Sequence, residues 1–291
     1  MRKILKWTGI VVCTILVLLL IAYSVAWMNV SGRLNKQYAV KVKPVSLRAD
    51  SAMLAYGARL YIVKGCADCH GPNLAGKVFV DDPMIGRFTG ANLTRGKGGL
   101  PADFDDKAWL MAVRHGLKPD GRSLILMPSY EFNGLADYDI ASIIAWCKTQ
   151  PAVDNEPPPT KIGPLGRVLT ALGKIPLVPA EKVDHHYQAP EIVKQEVSAA
   201  YGRYLSTSCT GCHHKDLRGG DNPVPGKTRV ADITGKGHVG SWTTAQFITT
   251  LRTGKTPEGK QLNNDDMPWQ MTAQYTEPEL EALYLYLKSL Q

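Results

Sequence analysis

Apolar and polar positions along the chain fall into three patterns. The first is a block. After Arg2, Lys3 and Lys6 comes an uncharged stretch from Trp7 to Gly32, containing Ile10-Val-Val and Ile15-Leu-Val-Leu-Leu-Leu-Ile21. About 20 apolar residues cross a bilayer as a helix, so the block predicts a membrane span, with Trp7 and Trp27 as interfacial aromatics near its ends. A cleaved signal peptide, with Ser24-Val25-Ala26 as its site, is the rival, but a secretory apolar region usually has only about 7–15 residues. Cys13 falls inside the block as an ordinary membrane-helix residue. The second pattern is helical and occurs twice. A helix begins near Tyr56-Gly57, an aromatic-led helix ends at Arg114-His-Gly, and an amphipathic helix runs from Leu135 to Thr149; the same order returns at Tyr201-Gly202, Arg252-Thr-Gly and Glu277 to Leu290. Acidic residues and proline at the closing helices' first turns are start signals. The third pattern is proline: residues 151–190 hold eight of the nineteen, which predicts a stiff, extended connection. Within it Leu165, Val168, Leu169 and Leu172 keep helical spacing, predicting a short amphipathic helix that covers apolar surface on one or both flanking units; the alternative is a partner or membrane contact by residues 162–178.

Composition changes this picture little. Of 291 residues 44% are hydrophobic and 21% charged, as in chains that bury a core. Charge placement matters more. The net charge is +8, but the first 48 residues hold eight Lys or Arg and no acid, so the remainder carries 26 of each sign. No basic face is left to grip nucleic acid, which excludes that class of partner. Three basic residues precede the apolar block and five follow it (Arg33, Lys36, Lys41, Lys43 and Arg48), so the positive-inside count does not orient the span.

The chemistry lies in the cysteines. Four of six form two copies of one motif, Cys66-Ala-Asp-Cys69-His70 and Cys209-Thr-Gly-Cys212-His213. Cys-x-x-Cys-His attaches c-type haem: two thiols on one helical turn form thioethers to the two vinyl groups, and the adjacent histidine reaches the iron as axial ligand. Structural zinc sites place their Cys-x-x-Cys pairs about 15–20 residues apart, whereas 139 residues separate these. A thioredoxin-like dithiol would sit near a βαβ pattern, and a disulfide staple explains neither histidine. Cys147, on the first closing helix, reads as a small buried hydrophobe.

The surroundings of the motif repeat as well. Leu74 and Gly76 correspond to Leu217 and Gly219, Asn92-Leu-Thr94 to Asp232-Ile-Thr234, Trp109 to Phe247, and Met127-Pro128 to Met267-Pro268. Met127 lies 57 residues after His70, and Met267 lies 54 after His213. A thioether is the second axial donor that raises a haem potential, and the following proline stiffens the loop that would hold it. Other methionines fail the repeat: Met84 falls opposite Lys227, and Met271 opposite Glu131. Of the remaining histidines, His115 corresponds to Thr253, His214 follows a motif, His238 has no evident partner, and His185-His186 lie in the linker as a weaker distal-ligand alternative.

Both halves resemble class I c-type cytochrome domains, and the whole resembles a membrane-anchored di-haem cytochrome c. The resemblance covers about residues 50–152 and 196–291. It implies a mainly α chain: an anchor (1–32), a basic juxtamembrane segment (33–49), one cytochrome c domain (50–152), a Pro-rich linker (153–195) and a second domain (196–291). It further implies two covalent haem c groups, held by Cys66, Cys69, Cys209 and Cys212, with His70, Met127, His213 and Met267 as iron ligands. The first and last helices of each domain would cross at Gly57 and Gly202, with Trp146 and Tyr286 as aromatic partners, and Arg114 and Arg252 are candidates for propionate contacts. Attachment of this kind occurs outside the cytoplasmic membrane, so the resemblance orients the span: one pass through the inner membrane, with both domains periplasmic and residues 33–48 against anionic lipid of the outer leaflet. It implies electron transfer rather than catalysis, relaying electrons between a dehydrogenase or quinol-oxidising complex and a terminal acceptor such as an oxidase. The alternatives are a di-haem peroxidase, and a haem-bearing subunit of a dehydrogenase or oxidase complex.

Overall fold

The computed structural model describes residues 2–222 and 227–291. A single helix, α1 (Arg2–Asn35), contains the whole apolar block, and of its residues only Val30 is buried. It is long and apolar enough to cross a membrane. The first half then folds as α2 (Ser51–Val63), α3 (Cys66–His70), strands β1 (Lys77–Asp82) and β2 (Gly86–Gly90), α4 (Asp106–His115), α5 (Ser129–Phe132) and α6 (Asp137–Thr149). The connection contributes β3 (Lys161–Ile162) and α7 (Pro164–Ala171). The second half is α8 (Ala199–Leu205), α9 (Thr210–His213), α10 (His238–Ser241), α11 (Thr244–Thr253), α12 (Trp269–Thr272) and α13 (Glu277–Ser289).

The caps explain where these helices start. Asp50 accepts the Met53 N–H ahead of α2, and Asp105 accepts the Ala108 N–H ahead of α4. Thr243 with Gln246, and Thr276 with Glu279, form reciprocal capping boxes at α11 and α13. In each half the first helix packs on the last, α2 on α6 and α8 on α13. The crossings use the two glycines expected for them. A Cβ on Gly57 would lie 2.0 Å from the Ser142 carbonyl oxygen and 3.0 Å from Trp146 Cβ, and one on Gly202 1.9 Å from the Ala282 oxygen and 2.8 Å from Tyr286 Cβ. Only a missing side chain lets backbones approach so closely. One continuous core runs through both halves, from Leu60, Tyr61 and Leu74 to Tyr201, Leu217 and Leu283.

Three features depart from the sequence reading. Strands were not expected, yet β1 and β2 form an antiparallel hairpin and the linker's β3 pairs with β2, in the order β1-β2-β3. The linker is a strap on the first half rather than a spacer. Leu177, Val178 and Ala180 are buried, and the Pro190 and Glu191 carbonyls accept the first two N–H groups of α6. The juxtamembrane segment also runs along the protein: Gln37 pairs with Arg122, Val42 and Val45 pack on the core, and Lys43 and Arg33 are ion-paired to Asp137 and Glu181 at 2.6 Å. Two of its five cations are thereby held by carboxylates of the protein rather than by lipid.

Candidate haem-attachment sites

Each Cys-x-x-Cys-His sits on a short helix turned by the same backbone. His70 Nδ1 meets the Ala91 carbonyl oxygen at 2.8 Å, and His213 Nδ1 meets that of Ala231 at 2.8 Å. A carbonyl can only accept, so Nδ1 carries the proton and Nε2 is the bare donor that a metal requires. Burial lowers both imidazole pKa values, which favours the neutral form of each ring. The loop beyond follows one path in both halves. The His70 carbonyl accepts from Gly76 and that of His213 from Gly219; Leu93 donates to Leu74 and Ile233 to Leu217. Leu74 and Leu217 share φ 61° and are buried. A left-handed leucine costs about 1–2 kcal/mol, and here the core contact of its side chain offsets that cost.

The methionines recur with equal fidelity. Ser129 N–H donates to the Met127 carbonyl at 2.8 Å and Trp269 N–H to that of Met267 at 2.7 Å, around Pro128 (φ −80°, ψ 51°) and Pro268 (φ −72°, ψ 66°). These are inverse γ-turns, each leading into a one-turn helix. Met127 and Met267 are both half-buried.

The thiols fit attachment better than the rival chemistries. All six cysteines are unpaired, so no disulfide staples either motif. Burial pushes Cys66 up to about 12 and Cys69 and Cys209 to about 11, and raises Cys212. A dithiol oxidoreductase needs the opposite shift, toward a thiolate near neutrality. Among the described residues no group of three or more His, Cys, Asp or Glu is placed to hold a metal ion alone, which leaves a Cys-His zinc site short of ligands.

A further donor was missed in the sequence. Trp109 is 4% exposed, and its Nε1–H has no hydrogen-bond partner. A buried orphan donor is costly, and a haem propionate is the kind of acceptor that would satisfy it. Its position opposite Phe247 was legible, but its lack of a partner was not. Arg114, a propionate candidate, already has protein partners. Its guanidinium is buried, bonded to the Asn133 and Leu135 carbonyls and to Asp137 Oδ1 at 2.9 Å, and so ties α4 to the start of α6. Arg252 is exposed, with one long bond of 3.5 Å to the Ala273 carbonyl.

The halves meet through the attachment helices. A Cβ on Gly65, which caps α3, would lie 3.7 Å from Met271 Sδ, and one on Gly211, within α9, 3.0 Å from Glu131 Oε1. Met271 and Glu131 are counterparts in the repeat, so each motif touches the helix that follows the other half's Met-Pro. Around this contact Arg59 makes a two-bond pair with Glu279, Tyr56 and Tyr204 both donate to Asp139, and buried Lys64 donates to Ser208. Burial raises Glu131 to about 7.

A family model described as Cytochrome c matches residues 199–291. This part of the chain is therefore a cytochrome c domain, which implies covalently bound haem c and haem-based electron transfer. No curated protein matches the chain.

Proposed function

We propose that the chain, with its cytochrome c domain at 199–291, is a two-haem electron relay anchored by α1, in which residues 50–152 form a second domain of the same kind. One observation carries the reading: His70 and His213 hang on equivalent carbonyls at the same 2.8 Å, each in a half that also holds a Met-Pro inverse γ-turn. Cys66 and Cys69, and Cys209 and Cys212, would hold one haem c each through thioethers, and His70 with Met127, and His213 with Met267, would supply the iron's protein donors. Bound haem c supplies an iron that takes up and releases one electron at a time. The protein's part is positioning. The Ala91 and Ala231 carbonyls fix the rings, the prolines hold the thioether loops, and the apolar core keeps the surroundings at low dielectric. Trp109 is the donor best placed by its lack of a partner to meet a propionate in the first half; Arg252, largely free, is the candidate in the second, and Arg114 serves mainly to hold α6.

Two protein donors per iron would leave no position for a substrate, which supports electron transfer as the activity. The cross-contacts of Gly65 with Met271 and Gly211 with Glu131 favour transfer between the two groups inside one molecule. Attachment chemistry of this type orients the anchor with both domains on the periplasmic face of the inner membrane, taking electrons from a dehydrogenase or quinol-oxidising complex and passing them to an oxidase or similar acceptor.

The test is a haem count combined with an optical redox titration of the detergent-extracted protein, following the near-infrared Met-to-ferric-iron band. Two haems per chain, both with the band, are expected; Met127→Leu and Met267→Leu should each remove half of it and lower one potential. One haem per chain, or one five-coordinate haem that turns over hydrogen peroxide, would sink the relay and bring the peroxidase reading forward.

A further inference from the structure

Helix α7 covers only part of its apolar edge, with Val168 and Leu169 half-buried. Its small positions, Gly166 and Thr170, are the buried ones, while Leu165 is 39% and Leu172 66% exposed. Gly166 packs on the Ile85 backbone at the turn between β1 and β2, and α7 docks on the C-terminal end of α1. Arg167 stacks 3.5 Å over the Trp27 ring and donates to Ser31, and Arg33 donates to the Thr170 carbonyl and pairs with Glu181. On its other side the Met84 carbonyl, at the turn between β1 and β2, accepts from Leu165 N–H at 2.9 Å, and the Met84 side chain is 53% exposed. Met84 and Leu165 are therefore adjacent, and Leu172 continues the apolar edge at the far end of the helix. Exposed Lys161 and Lys174 flank it.

The level of this edge is set by α1. Its exposed apolar residues run from Ile4 to Trp27 and Met28, and α7 seats on the next turn, at Trp27 to Arg33. That is where a span leaves the acyl chains for the headgroups, the layer in which helices with an apolar edge and flanking cations lie flat. We propose that α7 and the β1–β2 turn form a second membrane contact, with Leu165, Leu172 and Met84 in the headgroup–acyl boundary of the bilayer that α1 crosses. The occupant is lipid because the edge lies beside the end of the exposed apolar run of α1, joined to it by Arg167 on Trp27, and exposed lysines flank it. The contact holds the first half at a fixed tilt on the membrane. It rests on α1 being a span.

The experiment uses the full haem-loaded chain in phosphatidylcholine–phosphatidylglycerol vesicles, with Cys13→Ser to remove the accessible native thiol. Single nitroxides are attached at Leu172→Cys, Met84→Cys, Leu18→Cys within α1 and Leu285→Cys on exposed α13. The relaxation added by oxygen and by a water-soluble nickel chelate is read over a nitrogen baseline. The expected oxygen-to-nickel ratio is several-fold higher at 172 and 84 than at 285, and highest at 18. A nickel-dominated signal at 172 and 84 beside an oxygen-dominated one at 18 would overturn the contact while leaving the anchor. Exclusion of both colliders at 172 would overturn it in favour of a covering protein. A nickel-dominated signal at 18 would remove the anchor, and the contact with it.

Discussion

In the first half the arginine that ends the aromatic-led helix is buried and triply bonded, while its counterpart in the second half lies on the surface with one long bond. The carbonyl of the residue that follows the Met-Pro turn by six positions, Asn133 or Ala273, is a partner in both cases. The frame is thus shared and its load differs. The first half carries α1, the juxtamembrane segment, the β-hairpin and the linker strap; among the described residues the second carries none of the helix, segment or strap, and of the hairpin only the Gly220–Val230 bridge. The turn at Cys-x-x-Cys-His, the Met-Pro turn and the glycine crossing are common to both. The variable burial of Arg114 and Arg252 answers to what each half must support.

The largest test of the shared frame is to fill the crossings. Gly57→Ala and Gly202→Ala each put a Cβ within about 2 Å of a carbonyl oxygen, well beyond ordinary overpacking, so each should cost roughly 3 kcal/mol or more. Thermal melts in detergent should show similar losses for the two. A tolerant Gly57 beside an intolerant Gly202 would mean that the halves do not share the crossing.

The unequal load is read next, by Arg114→Ala against Arg252→Ala. Removing Arg114 strands buried Asp137 with only Lys43, and breaking such a pair costs about 3–5 kcal/mol. The surface Arg252 variant should stay within about 0.5 kcal/mol. Equal losses would refute the division of labour drawn here.

A third difference is sensitive to pH. His115 is buried, its Nδ1 is 3.2 Å from that of His185, and burial followed by the charges of His185 and Arg114 lowers its pKa to about 4. The unfolded chain binds this proton from about pH 6.5 and the folded chain does not. Stability from this site is therefore complete above about pH 6.5 and falls as pH drops toward 4, by at most about 3 kcal/mol. Replacing it with the second half's residue, His115→Thr, should flatten the melting temperature across that window even if it lowers the value at pH 7. An unchanged slope would assign the acid sensitivity elsewhere.

The smallest effect concerns the residue after each motif. Gly71 (φ 77°, ψ 159°) and His214 (φ 61°, ψ 172°) share a conformation that belongs almost solely to glycine. His214→Gly should stabilise by about 1 kcal/mol, the relieved strain exceeding glycine's entropic penalty. Gly71→Ala should destabilise, and a comparison of their melting temperatures checks both signs.

Much of the candidate site was legible because its signals are local. Cys-x-x-Cys-His declares itself within five residues, and the offset repeat picked Met127 and Met267 out of eight methionines. The crossing glycines followed from the family resemblance, and the structure has them in contact. The strands stayed hidden. The bulge between Val78 and Val80 breaks strict alternation, and β3 is two residues long with a partner more than seventy positions away. Trp109 was seen as an aromatic in the repeat, but a donor without an acceptor is a property of its surroundings.

By itself, then, the sequence determined the apolar helix, the doubled Cys-x-x-Cys-His motif and the close helix crossings. Thioether spacing, helical period and the lack of a side chain all act over a few consecutive residues. Tertiary structure alone decided that Arg114 is buried and Arg252 exposed, that the proline-rich linker is a strap, that Leu165 and Leu172 stay exposed, and that Glu131 and Met271 reach across to the other half's motif. Each of these depends on which distant backbone comes alongside, and that is settled only when the chain closes on one shared core.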